Sequence, residues 1–179
     1  MPKYYLIVDL EATCCDEGSI NPYQMEIIEI GAVMVDASTK ELVSEFETFV
    51  KPLRTPELTP FCTKLTSITQ EDVNNAPTFP EAVKNFKTWL YQYYDFVFCS
   101  WGDYDKKQLQ QDCFHHNIAM PITAQHINIK KEFSKKQGIS KKLGMAEALK
   151  HVNLELIGTH HRGIDDVRNM ARLIPYIFE

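Results

Sequence analysis

Two acids alternate with a leucine at the end of an apolar run: Asp9-Leu10-Glu11 follows Tyr-Tyr-Leu-Ile-Val at 4–8. On an extended chain, residues two apart point to the same face, so Asp9 and Glu11 converge while Leu10 turns away. Carboxylates held side by side in a desolvated place repel unless a cation lies between them. Hard divalent ions such as Mg²⁺ take oxygen ligands of this kind. The D-x-E spacing alone is a weak signal, since strands commonly end in a polar loop residue. It gains meaning only if further groups converge on it.

Three more groups are candidates. In His160-His161-Arg162-Gly163-Ile164-Asp165-Asp166, helical phase separates the two aspartates. Asp165 aligns with Arg168, Asn169 and Arg172 on a polar face, and its charge in a first turn favours the helix dipole. Asp166 aligns with Met170, Leu173 and Ile177, and an acid heading an inward face is costly unless paired or bound to metal. The same test applied to Trp101-Gly102-Asp103-Tyr104-Asp105 makes Asp103 the helix N-cap. Asp105, in line with Leu109, Cys113 and His116, becomes the ligand. His161 lies in a glycine-containing loop five residues before Asp166, and a histidine's ordinary pKa of about 6.5 suits proton abstraction from water near neutral pH. His160 is expected to point elsewhere and to have no role.

These groups need a scaffold. Residues 4–9, 26–36, 41–51, 96–101 and 126–129 read as strands. The third alternates through Leu42, Ser44, Phe46, Thr48 and Val50, as a strand near a sheet edge does. Helices are predicted at 59–65, 69–74, 78–93, 104–116, 130–136, 143–151 and 164–177. The third starts with a Thr78/Glu81 capping pair and a proline in its first turn. Three leading strands followed by α/β alternation imply an α/β fold: a mixed five-stranded sheet with helices on both faces.

Composition sets outer bounds. A chain of 179 residues, 44% hydrophobic and 24% charged, suits one domain spanning 1–179 with a full core. The apolar run before Asp9 is too short for a signal peptide, and no later stretch approaches the ~20 residues of a membrane span. Five cysteines, odd in number and without a CxxC pair, read as reduced thiols in a cytoplasmic protein. The formal net charge of −5 weighs against nucleic acid as a partner. Yet four carboxylates at a metal site would be offset by two divalent cations, and Lys130, Lys131, Lys135, Lys136, Lys141 and Lys142 concentrate in one stretch. A solvated helix face is the other reading of that stretch.

Asp-x-Glu, a later Asp in a Tyr-Asp step and a His five residues before an Asp together resemble the DEDDh 3′→5′ exonucleases. Segments VDLEATC (8–14), EIIEIGAVMVD (26–36), FCTKLTSITQEDV (61–73), SWGDYDKKQL (100–109) and HHRGIDDVRNMARL (160–173) are similar to the enhanced-RNAi and histone-mRNA 3′ exonuclease subfamily. The resemblance implies the ribonuclease-H-like fold, two divalent metal ions (Mg²⁺ or Mn²⁺) and release of nucleoside 5′-monophosphates from single-stranded RNA or DNA 3′ ends. By motif position it implies that Asp9 bridges both metals and that Glu11, Asp105 and Asp166 complete their coordination. His161 then deprotonates the attacking water. Leu10, Ala12, Phe61, Leu65 and Tyr104 would hold the terminal nucleotide, with ordinary core packing the other reading for Phe61 and Leu65.

The RNA-processing branch favours RNA as substrate. Alternatives are a DNA proofreading or repair exonuclease on the same site, and an inactive nucleic-acid-binding module. The complete acid set with His161 counts against the inactive module, and the His161–Asp166 spacing against a ribonuclease-H-type endonuclease. Eukaryotic relatives often carry an additional N-terminal nucleic-acid-binding domain. With eight residues before Asp9, this chain is expected to act without one, as a bare catalytic domain resembling the bacterial members. No membrane or protein partner is implied.

Overall fold

The computed structural model describes residues 2–178. Its elements run β1 (Tyr4–Ala12), β2 (Ile27–Asp36), β3 (Leu42–Phe49), α1 (Pro60–Thr66), α2 (Gln70–Asn74), α3 (Phe79–Leu90), β4 (Phe96–Ser100), α4 (Tyr104–His115), β5 (His126–Asn128), α5 (Ile129–Lys136), α6 (Met145–His151) and α7 (Gly163–Leu173). The strands form one sheet in the order β3-β2-β1-β4-β5. β1–β2 and β2–β3 are antiparallel, whereas β1–β4 and β4–β5 are parallel. Among the described residues no helix is long and apolar enough to cross a membrane.

Two departures from the expected boundaries matter. β1 does not stop at Asp9 but continues to Ala12, because β2 goes on pairing with it through Glu11↔Glu29 and Ala12↔Ile27. The acids therefore sit on rigid strand. At the other end, α7 stops at Leu173 rather than running to 177, and a single 3₁₀ turn follows over Ile174–Tyr176. Pro175 explains this, since a proline ring has no N–H to continue the helical ladder.

β1 alternates between two cores. Leu6, Val8 and Leu10 pack with Phe79, Val83 and Phe86 of α3 and with Leu109 and Cys113 of α4. Tyr5 and Ile7 pack on the other face with Phe133 of α5, Leu149 of α6 and Val167 and Met170 of α7. Strand parity therefore aims Asp9 and Glu11 at the α5–α7 side. β3 is an edge strand, as its alternation implied. Phe46 packs on Phe86 and Trp89, Ser44 accepts a hydrogen bond from Trp89 Nε1 at 2.8 Å, and on the other face Glu45 and Glu47 pair with Arg168 and Arg162. A small third cluster of Ile28, Cys62, Ile68 and Val73 seats α1 and α2 against the sheet.

Candidate active site

β1 pairs with β4 only from Tyr4 to Ile7, so its last residues run past the end of β4. A crevice of this kind, outside the carboxyl ends of parallel strands, is where open α/β sheets place their ligands. The N-terminus of α4 closes one side. Asp105 Oδ1 accepts a hydrogen bond from the backbone N–H of Leu10 at 3.1 Å, which satisfies an amide that β4 leaves free and brings the acid beside Asp9 and Glu11. Asp105 is buried.

Asp103 occupies the N-cap position of α4, but its side chain makes no cap hydrogen bond, contrary to expectation. It accepts instead from Asn128 Nδ2 at 2.9 Å and Lys131 Nζ at 3.1 Å. Those two partners draw the carboxylate away from the helix end. Of the two, Asp105 and not Asp103 lines the cleft with Asp9 and Glu11.

The remaining acid arrives on α7, and the approach is unusually close. A Cβ on Gly31 would lie 2.2 Å from the carbonyl carbon of Gly163, and one on Gly163 would lie 3.1 Å from Asp9 O. The two glycines let the start of α7 rest directly on β1 and β2. Glu29, paired with Glu11 across the strands, then takes the first amides of the helix: Gly163 N–H at 3.0 Å and Ile164 N–H at 3.4 Å. Arg162 Nε donates to the same carboxylate at 3.2 Å and Arg162 Nη2 reaches Glu47 at 3.1 Å. Glu29 thus caps α7 from a neighbouring strand. Sequence reasoning assigned it no role because its partners lie more than a hundred residues away.

Docked this way, α7 turns Asp166 toward β1. Oxygens of Asp9, Glu11 and Asp166 lie within 4.8 Å of one another. His161 adopts a left-handed backbone (φ 65°), and its N–H donates to Asp166 Oδ2 at 3.0 Å. The expectation for His160 fails. Its Nδ1 lies 3.1 Å from both Asp166 oxygens and its ring stacks on that of His161 at 4.0 Å, because the left-handed turn brings both rings to one side. Asn169 also departs from the polar face assigned to it. It is buried, and its Nδ2 donates to Ile157 O at 2.7 Å while its Oδ1 accepts from Ile157 N–H at 3.1 Å.

Electrostatics record the crowding. Burial, then the charges of Asp105, Glu11, Asp166 and Glu29, push the Asp9 carboxyl far above the usual range. Glu11 is raised to about 9 by burial and then by Asp166, Glu29 and Asp105. Asp105 rises to about 6 through burial, although the Leu10 N–H works the other way. Burial also raises Asp166, opposed by His160. His161 is lowered by burial and then by the charge of His160, with Asp166 working the other way. An all-oxygen set of desolvated, mutually repelling carboxylates fits hard divalent cations.

The acids open into a cavity of about 310 Å³, lined by Asp9, Leu10, Glu11, Tyr104, Asp105 and Asp166 with His160, His161, Trp101, Gly144, Met145 and Met170. Of the five residues expected to hold a nucleotide, Leu10 and Tyr104 line this cleft. Phe61 lines a neighbouring cavity of about 540 Å³ with Cys15, Thr59 and Lys64. α1 meets the end of β1 through Cys62 Sγ on Ala12 O at 3.7 Å and Thr59 Oγ1 on Cys14 O at 2.6 Å. Ala12 itself is buried and Leu65, one turn after Phe61, is exposed, and neither is among the residues lining the two cavities. Trp101 and Met145 complete the wall. The tryptophan at the end of a strand leading into Asp103–Asp105 could have signalled this, whereas nothing in the sequence around Met145 did.

A ribonuclease-H-like sheet thus presents two acids from β1, one from the start of α4 and one from α7, with two histidines beside them. The comparisons name the family. Residues 6–174 match the exonuclease family, RNase_T, and the chain belongs to it. Mouse (Mus musculus) ERI1 exoribonuclease 3 is 35% identical over 181 residues, covering 96% of this chain and 52% of that protein. Human 3′-5′ exoribonuclease 1 is 32% identical over 178 residues, covering 95% and 51%. The chain thus spans about half the length of these curated relatives. Among solved structures, the nuclease domain of 3′hExo, a DEDDh family member bound to rAMP, superposes with a TM-score of 0.89 at 30% identity, covering 98% of this chain and 90% of that one. A 3′-exonuclease recognising the histone mRNA stem-loop gives 0.88 at 28% identity, covering 98% and 80%. DEDDh exonucleases typically use divalent metals.

Proposed function

We propose that this chain removes nucleotides one at a time from the 3′ end of single-stranded RNA, releasing nucleoside 5′-monophosphates, with two divalent ions, Mg²⁺ or Mn²⁺. The observation that carries the reading is the convergence of Asp9, Glu11, Asp105 and Asp166 beside His161 in one cleft. The exoribonuclease names of its relatives favour RNA over DNA. Five free thiols suit a reducing compartment, the cytoplasm.

Asp9, Glu11, Asp105 and Asp166 would hold the ions, which when bound supply Lewis-acid charge at the attacking and leaving oxygens of the phosphodiester. His161, with its lowered proton affinity, accepts the proton of the attacking water at a ring nitrogen. Its left-handed backbone and the N–H bond to Asp166 hold it at the cleft. Leu10 and Tyr104 give the terminal base apolar and aromatic contact that does not read its identity. Phe61 extends that surface along the adjoining cavity.

The test is a pair of 5′-labelled single strands, RNA and DNA, incubated with Mg²⁺, Mn²⁺ or chelator. Metal-dependent shortening from the 3′ end, faster on RNA and with 5′-mononucleotide product, is expected. Internal cuts, or no cleavage of either strand, contradict the reading. In the same assay Asp105→Asn abolishes shortening while Asp103→Asn retains most of it.

A further inference from the structure

The acid cleft repels the phosphates it must act on, and one wall of it is bordered by lysines that the chemistry above leaves unused. Between residues 130 and 147 the chain has six lysines against Glu132 and Glu147, although its formal net charge is −5. Three elements bring these lysines to the same rim. Trp101, which lines the cleft, donates from Nε1 to Leu143 O at 3.2 Å, so the loop carrying Lys141 and Lys142 is tied to the end of β4. The next residues, Gly144 and Met145, line the cleft themselves. Lys131 pairs at 3.1 Å with Asp103, which is two residues from Asp105 and three from Lys106 in the first turn of α4. Lys141 pairs with Glu147 of α6 at 3.0 Å, which ties the loop lysines to the helix whose first residue, Met145, lines the cleft. Lys135, Lys141 and Lys142 are exposed.

Resting on the exonuclease reading, we propose that this lysine rim (the start of α4, α5 and the loop leading into α6) binds the phosphate backbone of the substrate strand upstream of its 3′ end. A row of ammonium groups beside the cleft neutralises phosphates without reading bases. Lysine suits this as a mobile point charge on a long stem. The rim makes cleavage depend on strand length, since a dinucleotide offers only its scissile phosphate and never reaches the lysines. It also offsets the unfavourable overall charge of the chain where a long anion passes.

The experiment compares the unmodified protein with Lys130→Gln/Lys141→Gln/Lys142→Gln. A second variant, Lys84→Gln/Lys87→Gln, alters α3 on the opposite face of the sheet as a control. Each is assayed on a 5′-labelled 20-nucleotide RNA and on a dinucleotide, and its binding to the 20-mer in Ca²⁺ is followed over a series of salt concentrations. The triple variant should lose about tenfold or more in kcat/KM on the 20-mer and little on the dinucleotide. Its log Kd against log [salt] slope should fall by about 2, at about 0.7 per lost single-strand contact. Equal losses on both substrates, an unchanged salt slope, or the same loss in the α3 control overturns the proposal. An unmodified protein that binds the 20-mer with a lysine-dependent slope yet cuts neither substrate would sink the exonuclease reading and leave the rim standing.

Discussion

Glu11 and Glu29 face each other across β1 and β2, and burial raises the proton affinity of both, but only Glu29 is given opposing donors by the chain. Glu29 is fully buried, but it accepts from Arg162 and from the first amides of α7. Glu11 meets burial and then the charges of Asp166, Glu29 and Asp105, all raising its proton affinity. Two other buried acids follow Glu29. Glu26 takes the N–H groups of Leu53, Arg54 and Thr55, and Asp112 takes Ile27 N–H, Gln108 and Arg54. An acid that holds the fold together brings its donors from the chain. Of the cleft acids, Asp105 and Asp166 have some such donors, whereas Asp9 and Glu11 have none among the described residues and are suited to positive charge from outside.

The sharpest way to break this contrast is to neutralise each side. Glu11→Gln should cut kcat by about a thousandfold, the several kcal/mol a metal contributes to the transition state. It should also leave the metal-free fold at least as stable, since it removes a repelling charge. Glu29→Ala should cost about 3–5 kcal/mol of stability, because Arg162 and two helix amides lose their partner. Thermal melts and steady-state rates on the two variants check both halves. A destabilised Glu11→Gln or a stable Glu29→Ala would collapse the distinction.

Next in size is the histidine pair. His161→Ala should lower kcat by about 10²–10⁴ with metal affinity nearly intact, the range for loss of a general base. His160→Ala should cost a smaller factor, since that ring only supports Asp166 and its neighbour. If His160→Ala costs more, the two roles are exchanged. Smaller again is Gly31→Ala, whose methyl would collide with the backbone of Gly163. A loss of about 1–3 kcal/mol is expected by overpacking, with activity falling as Asp166 is pushed from β1. Wild-type stability and rate in that variant would mean that α7 is not held by this contact.

The sequence made most of the frame legible because the frame is periodic. Apolar, β-branched runs placed the five strands, the Thr78/Glu81 capping pair marked the start of α3, and the edge position of β3 followed from its alternation, whereas the 3₁₀ turn after α7 was not read. Within the site, parity fixed the shared direction of Asp9 and Glu11, and helical phase separated Asp166 from Asp165. Long-range pairings were not legible. Nothing near Glu29 announces Arg162, and nothing near Asp103 announces Asn128 and Lys131, so the cap assigned to Asp103 failed. His160 was misjudged for a local reason, since the left-handed turn at His161 overrides simple sequence spacing.

The claim that the cleft acids await external cations is tested most directly by the melting temperature of the protein from pH 5 to pH 9, with chelator and with Mg²⁺. Unfolded carboxyls titrate near 4. With Asp105 raised to about 6 and Glu11 to about 9, the folded state binds more protons between those limits. Metal-free stability must therefore fall as the pH rises through that window. The account predicts a falling melting temperature in chelator, recovery on adding Mg²⁺, and a flatter profile with reduced recovery in Glu11→Gln. A metal-free profile that rises or stays level across the window, or a Glu11→Gln variant that gains as much from Mg²⁺ as the unmodified protein, would contradict it.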